Sequence, residues 1–374
     1  MRTLLAVAGI AAAGLAAAGT AGAAPLGVQD DRLSSGPVEQ VPGRLDLIQK
    51  AGAKVTRVDV LWSLVAPTRP ASPTDPADPA YRWERLDAVV RGLADRRITS
   101  ILAVYSAPAW AAGGRGAPRD REVNPNAPGN GHFGAFMTAL ATRYAGAYLP
   151  AGAPSPLPLI RHYEIWNEPN LRAFLAVSGR KATPARYAAL TRAAYAAVKR
   201  ANRRAIVIAG VGSPRSSTGS TGTAALRWAL LVARSSARFD AYSQHVYPFA
   251  APNARSTAFP SWSTLGQLPE TLDTVRRRRG VPIYITEAGY TTARTPFRTV
   301  KVTLRQQAAY LKQIMRLREL RKPRYRVVIW FNLQDNRDWP GGLLNLRGGA
   351  KPSYRAFVPL ARASRLPADL RFVR

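Results

Sequence analysis

Arg161-His-Tyr-Glu-Ile-Trp-Asn-Glu-Pro-Asn170 is the stretch that decides how this chain folds. Leu159, Ile160, Tyr163 and Ile165 form an apolar run that predicts a buried strand. The run stops abruptly at Trp166-Asn167-Glu168-Pro169-Asn170. Proline has no N–H for a ladder and drives its predecessor out of the helical region, so Glu168 stands where the strand ends. An amide and a carboxylate are poor packing material at the carboxyl end of a strand. They are good material for chemistry.

A second stretch, Pro282-Ile-Tyr-Ile-Thr-Glu-Ala-Gly-Tyr290, has the same shape: the apolar strand Ile283, Tyr284, Ile285 runs into Glu287 and then small residues. Two glutamates at the ends of two different strands are the groups that glycoside hydrolysis uses. One protonates the leaving oxygen while the other attacks, or activates water, at the anomeric carbon. Glu164 lies on the alternating face of the first strand and reads as a buried structural carboxylate with no catalytic part.

Working outward, runs rich in Val and Ile alternate with Ala/Arg/Leu segments of helical period. Strands are predicted over 26–29, 55–61, 99–105, the opening stretch, 205–211, 239–246, 283–286 and 326–331. Helices are predicted over 44–51, 83–96, 133–148, 184–202, 224–233, 269–279 and 303–318. Eight strands alternating with helices is the count of an α/β (β/α)8 TIM barrel, a fold whose sites lie at the carboxyl ends of its strands. Nothing repeats and no composition break divides the 374 residues, so the expectation is a single domain over 24–374. Residues 1–23 read as a signal peptide: Met1-Arg2-Thr3, an apolar Ala-rich run, and the small-x-small site Ala21-Gly22-Ala23. Export follows, with no transmembrane anchor after cleavage and a monomer outside the cell.

Composition narrows the chemistry. There is no cysteine, which excludes disulfides, thiolate metal sites and cysteine nucleophiles. Three histidines (His132, His162, His245) are too few to favour a metal site, and no Gly-rich phosphate loop, Gly-x-Ser-x-Gly elbow or His-Glu-x-x-His occurs. A cofactor-free, metal-free mechanism is expected. The 54 basic against 22 acidic residues leave a net charge of +32, a surface that attracts polyanions such as an anionic polysaccharide. The charge is spread evenly, which favours a solvated surface over a specific nucleic-acid stripe. The run Arg276-Arg-Arg-Arg279 is read as the cationic end of a helix before Gly280.

Trp166-Asn167-Glu168-Pro169 ending the fourth strand and Glu287 ending the seventh resemble the clan of retaining glycoside hydrolases on (β/α)8 barrels that includes family 5 cellulases and family 39 enzymes. His245-Val-Tyr247 after the sixth strand, Arg57 in the second, Trp330 in the eighth and Tyr81-Arg-Trp-Glu-Arg-Leu-Asp87 extend the resemblance over the mature chain. It implies Glu168 as acid/base, Glu287 as nucleophile and Asn167 as partner of a sugar 2-hydroxyl. Tyr247 or His245 would orient the nucleophile and the sugar, and Arg57 would lie under Glu287 and keep it ionised. Trp330, with Trp110, would give the ring platform on which a pyranose stacks. The strand-three and strand-five loops align with no one family.

Each residue also has a plainer reading. Glu168 and Glu287 could be ion-pair partners in an Arg-rich chain, His245 a core histidine, Trp330 a core tryptophan, and Arg57 a charge needing a buried partner. Trp62, and Asp335, Asn336, Asp338 and Trp339 in the last loop, suit packing as well as sugar contact. The expectation is a secreted retaining glycosidase on a carbohydrate substrate, endo-acting on a polysaccharide in preference to exo-acting. A non-catalytic glycan-binding protein and a transglycosylase using the same carboxylates are the alternatives.

Overall fold

The computed structural model describes residues 23–119, 121–296 and 298–373. The predicted signal peptide therefore lies outside the described residues, apart from Ala23.

Eight parallel strands form one sheet: β1 Leu26–Val28, β2 Val55–Leu61, β3 Thr99–Tyr105, β4 His162–Ile165, β5 Ile206–Gly212, β6 Ala241–Val246, β7 Ile283–Ala288 and β8 Tyr325–Trp330. They pair in sequence order from β2 round to β8, and β8 pairs with β1. β1 and β2 meet where Thr56 Oγ1 donates to Val28 O at 2.6 Å. Gly27 permits that approach, since a Cβ there would fall 2.5 Å from Val55 O. The result is the (β/α)8 TIM barrel.

Eight main helices follow the strands: α1 Val41–Lys50, α2 Glu84–Asp95, α3 Asn130–Arg143, α4 Pro184–Ala201, α5 Ala225–Arg234, α6 Gln267–Asp273, α7 Leu304–Ile314 and α8 Pro352–Ala363. Their starts follow local chemistry. Thr183 caps α4 through the Arg186 N–H and proline opens the helix, while Thr303 and Gln306 form a capping box on α7. The α8 segment has no counterpart in the sequence reading. The arginine run departs from expectation: α6 ends at Asp273, and Arg276–Arg278 forms a separate 3-10 turn. Arg278 there is buried over the Phe239 ring.

Strand alternation sorts the core into two compartments. Leu26, Val58, Val60, Leu102, Val104, Tyr163, Ile165 and Val328 face the helices in the main apolar core. Val55, Ile101, Ile208, Ala241, Tyr284, Val327 and Ile329 fill the lower barrel, where Leu370 from the C-terminal segment completes the layer. Thr99 Oγ1 donates to Leu370 O at 2.8 Å and Tyr284 OH to Asp369 Oδ2 at 3.1 Å, which seats that segment across the barrel floor. His162 sits inside the barrel, and burial pushes its pKa down to about 4. Above this layer the interior turns polar.

Candidate active site

The upper barrel is built around Arg57, which is fully buried. Position 57 has the parity of Val55, so its side chain enters the barrel where β2 leaves the apolar layer. Its Nε donates to Glu164 Oε2 at 2.5 Å, Nη1 to Glu287 Oε1 at 2.8 Å and to Gln29 Oε1 at 3.0 Å, and Nη2 to Asn167 Oδ1 at 2.9 Å. Asp59 Oδ1 is 2.8 Å from Nη1. One guanidinium thus ties together side chains from β2, β4, β7 and the segment after β1. A charge this deep is tolerated because every face of the fork meets an acceptor.

Glu287 reaches this centre by a bulge. Plain alternation would turn it outward with Ile283 and Ile285, which face the helices. Against β6, however, Gln244 pairs with Ile285 and His245 with Glu287. Against β8, Val328 pairs with Ile285 and Trp330 with Ala288. Thr286 is the extra residue, and the shift re-aims Glu287 into the barrel.

Glu168 is positioned by the backbone. Trp166 at φ 73° and Glu168 at φ 40° both adopt the left-handed region, which costs a bulky residue energy. Burial of Trp166, and its Nε1 donating to Phe174 O at 2.7 Å, hold that turn.

The two carboxyls meet at His245. Its Nδ1 lies 2.9 Å from Glu168 Oε1 and 3.3 Å from Glu287 Oε2. One ligand atom from each of Glu168, His245 and Glu287 lies within 4.8 Å of the others. These three could hold a cation between them. Arg57 already places a positive charge on one Glu287 oxygen, and Tyr247 OH donates to the other at 2.6 Å.

The two glutamates are not equivalent. Glu287 receives Arg57 on one oxygen and Tyr247 on the other, while the partner of Glu168 is His245 alone among the described residues. Burial pushes the Glu287 pKa up to about 7, working against Arg57, which lowers it. Burial and the charge of Glu287 push Glu168 well above the ordinary carboxyl range. Burial, and then Arg57, hold His245 well below its usual value, so the ring is neutral. Tyr247 is raised well above its usual value by burial and by Glu287, so it stays a donor. The arrangement holds one carboxyl ready to be an anion and one ready to be an acid.

His245, Tyr247 and Arg57 contact the two glutamates, and Asn167 joins them through its bond from Arg57. Glu164 is wholly buried against Arg57. The two predicted tryptophans are placed elsewhere. Trp330 is 0% exposed in the helix-facing core, its Nε1 donating to Gly341 O at 3.1 Å, so its ring offers no face to a ligand. The physical reason is parity: Val328 and Trp330 face outward, Val327 and Ile329 inward. Trp110 packs edge-on against Trp62 and His132 and donates Nε1 to Ala66 O at 2.9 Å; none of its described contacts is with Glu168 or Glu287.

Two rings stand beside Tyr247: Trp339, which the sequence reading named as suiting packing or sugar contact, and Phe331, which it missed. Phe331 is half-buried, 6.2 Å from Tyr247 and 5.5 Å from Trp339 between ring centroids, and Trp339 lies 4.6 Å from Tyr247. Asn336 Oδ1 accepts Trp339 N at 2.6 Å and Trp339 Nε1 donates to Phe331 O at 2.9 Å, which fixes the last loop over the site. The alternation of Val327 and Ile329, continued one step, would have found Phe331. Also missed were Gln29 and Tyr105, which donate to Asp59 Oδ2 at 2.9 and 3.1 Å, and Asp59 itself, two residues from Arg57 on the same face.

No protein-family model matches the sequence, and no curated protein matches it. Solved structures do match the fold. A family 39 glycoside hydrolase from the gut symbiont Bacteroides cellulosilyticus WH2 superposes with a TM-score of 0.63 at 21% identity, over 91% of this chain and 64% of that one. A GH39 β-xylosidase from Caulobacter crescentus gives 0.62 at 17% identity, over 92% of this chain and 74% of that one. A GH5_18 protein from Streptomyces cattleya, solved with GlcNAc, gives 0.61 at 16% identity, over 93% and 82%. This chain thus spans less than two-thirds of the length of the family 39 protein. At such identities the likeness is one of fold.

Proposed function

We propose that this chain is a retaining glycoside hydrolase that cleaves O-glycosidic bonds by double displacement, with Glu287 as nucleophile and Glu168 as acid/base. The observation that carries the reading is the unequal support of two adjacent carboxyls: Arg57 and Tyr247 brace Glu287, while among the described residues Glu168 has His245 alone. Their approach within 4.8 Å supports retention, since inverting pairs stand roughly 6.5–9.5 Å apart to admit a water. The solved structures of like fold include glycoside hydrolases, which agrees with this reading.

In the first step Glu287 attacks the anomeric carbon, and the proton on Glu168 passes to the departing glycosidic oxygen as the C–O bond breaks. The product is a glycosyl ester on Glu287, whose charge is consumed. With that charge gone, Glu168 is an ordinary base and takes a proton from water, which attacks the same carbon and releases Glu287. Asn167, its Oδ1 held by Arg57, has its amide hydrogens left for a sugar hydroxyl. Phe331 and Trp339 form the aromatic wall. The substrate is a carbohydrate polymer cut internally by an exported, monomeric enzyme.

The test is turnover of a panel of aryl glycosides and polysaccharides by the wild-type chain and by Glu287→Gln. Turnover lost in the variant supports the proposal and names the sugar. A folded wild type that turns over none of the panel, with glycan binding equal in both forms, leaves a glycan-binding protein instead.

A further inference from the structure

The loops after β3, β4 and β5 enclose a groove of about 530 Å³, within the size range of ligand sites. Arg121 and Asn126 line it from the first loop, Leu171 and Arg172 from the second, Arg215 and Thr221 from the third. The first and third of these are the loops that resemble no one family. Two bonds stitch the three together, Arg121 Nη1 donating to Ala173 O at 2.7 Å and Arg172 N to Thr221 O at 2.9 Å, and within the third loop Arg215 Nε donates to Ser217 O at 2.7 Å. Two guanidinium groups are thereby fixed with further N–H groups to spare. The exposed Arg172 side chain makes no hydrogen bond or ion pair among the described residues. The described lining carries no carboxylate.

The catalytic floor offers an anion no such group. Its cation, Arg57, is buried and already bonded to Glu164, Glu287, Gln29 and Asn167, with Asp59 beside it. An anionic sugar unit therefore finds its guanidinium partners in the groove and not at the floor. The groove begins one turn beyond Glu168, since Leu171 N donates to Glu168 O at 2.9 Å. Glu168 protonates the leaving oxygen, and Glu287 lies three strands away on β7. Sugar units on the leaving-group side consequently run past the end of β4.

We propose that this groove is a leaving-group-side subsite for an anionic sugar unit, one bearing a carboxylate or a sulfate or phosphate ester, held by Arg121, Arg172 and Arg215. Guanidinium forks suit such groups because two N–H bonds reach two oxygens at once. The assignment to the leaving-group side rests on the hydrolase reading; the anion binding itself does not.

The experiment is calorimetric titration of the full chain carrying Glu287→Gln, so that no probe is consumed. The probes are hexagalacturonate, a sulfated hexasaccharide, neutral glucohexaose and a single-stranded deoxyoligonucleotide, all at one ionic strength. One or both anionic hexasaccharides should bind about tenfold more tightly than glucohexaose, and adding Arg172→Gln should remove about tenfold, the worth of one charge-assisted hydrogen bond. Arg172→Lys should keep part of that affinity. Arg276→Gln removes the same charge from the opposite face, before β7, and should change binding by less than about twofold, as an exposed charge does. The probe with the larger loss names the acid group.

Equal binding of glucohexaose, no binding of either anionic glycan, or equal losses in Arg276→Gln and Arg172→Gln would overturn the proposal. So would an oligonucleotide that binds more tightly than both glycans and depends on Arg172, an outcome that assigns the groove to nucleic acid. Arg172-dependent glycan binding without wild-type turnover sinks the hydrolase and leaves the groove. Turnover with Arg172-independent binding does the reverse.

Discussion

Arg57 Nη1 lies 2.8 Å from Glu287 Oε1, a contact that crosses the barrel from β2 to β7 inside its polar layer. The same guanidinium is the partner of Glu164 Oε2, and the other oxygen of Glu164 has no hydrogen bond among the described residues. Replacing Arg57 by Met strands a buried carboxylate. The expected cost is about 3–5 kcal/mol in urea unfolding. Arg57→Met with Glu164→Gln should recover most of it, because the neutral amide no longer needs a cation. Activity should stay lost in both, since Glu287 keeps no cation to favour its anionic form. Full activity in the double variant would remove Arg57 from the mechanism.

The pH profile follows from the two glutamates. In the proposed mechanism Glu287 must be ionised, and its pKa of about 7 sets the acid limb: kcat/KM should rise as pH increases through about 7. Glu168 must carry its proton, and it is held well above the ordinary range, so the rate falls again on the alkaline side. The two limbs belong to the pair. Glu168→Gln should abolish the alkaline limb on an aryl glycoside with a good leaving group. On a poor leaving group it should cost about 10²–10⁴-fold. An alkaline limb that persists in this variant would contradict the assignment.

Stability should respond to the same charge. Burial raises the Glu287 pKa from 4.5 to about 7, so its ionised form weighs against the folded state. Below about pH 4.5 both states hold the proton and the penalty is absent. It grows as pH rises from 4.5 to 7 and is complete above that. Glu287→Gln mimics the protonated form and should therefore be more stable than wild type at pH 8, on the order of 2–3 kcal/mol, with the gap closing at pH 4.5. Thermal unfolding at the two pH values measures it. A variant less stable at pH 8 would show that the contacts of Glu287 outweigh its burial.

Aromatic truncation separates packing from binding. Trp330→Ala removes a wholly buried ring from the core and should cost about 3–5 kcal/mol of stability. Trp330→Phe should leave KM close to wild type. Phe331→Ala should do the opposite, raising KM about tenfold with a small loss of stability, a loss in the range of stacking contacts. A larger KM effect from Trp330→Phe than from Phe331→Ala would return the platform to Trp330.

Legibility differs between the scaffold and the site. The predicted strand 99–105 coincides with β3 because a parallel strand buried on both faces reads as a nearly continuous apolar run, and 55–61 coincides with β2 because Val58 and Val60 alternate with Arg57 and Asp59. Helix ends were less legible: 133–148 was predicted where α3 is Asn130–Arg143, because an Ala-rich run continues past the point where the chain turns. Glu168 could be placed at a strand end because Pro169 stops the strand locally. Nothing local marks the left-handed backbone at Trp166, which packing enforces against that residue's own preference.

What the sequence determined by itself is the eightfold alternation and the identity of the strand-end residues, because hydrophobic period and proline act over a few neighbouring positions. What only the tertiary structure decided is which way those residues face. The bulge at Thr286 turns Glu287 inward against the parity of its own strand. Parity alone buries Trp330 and leaves Phe331 beside Tyr247. The fork of Arg57 joins residues up to 230 positions apart, a contact that exists only once the barrel closes. Orientation and charge are set by registers and neighbours from distant strands, and these are properties of the closed sheet.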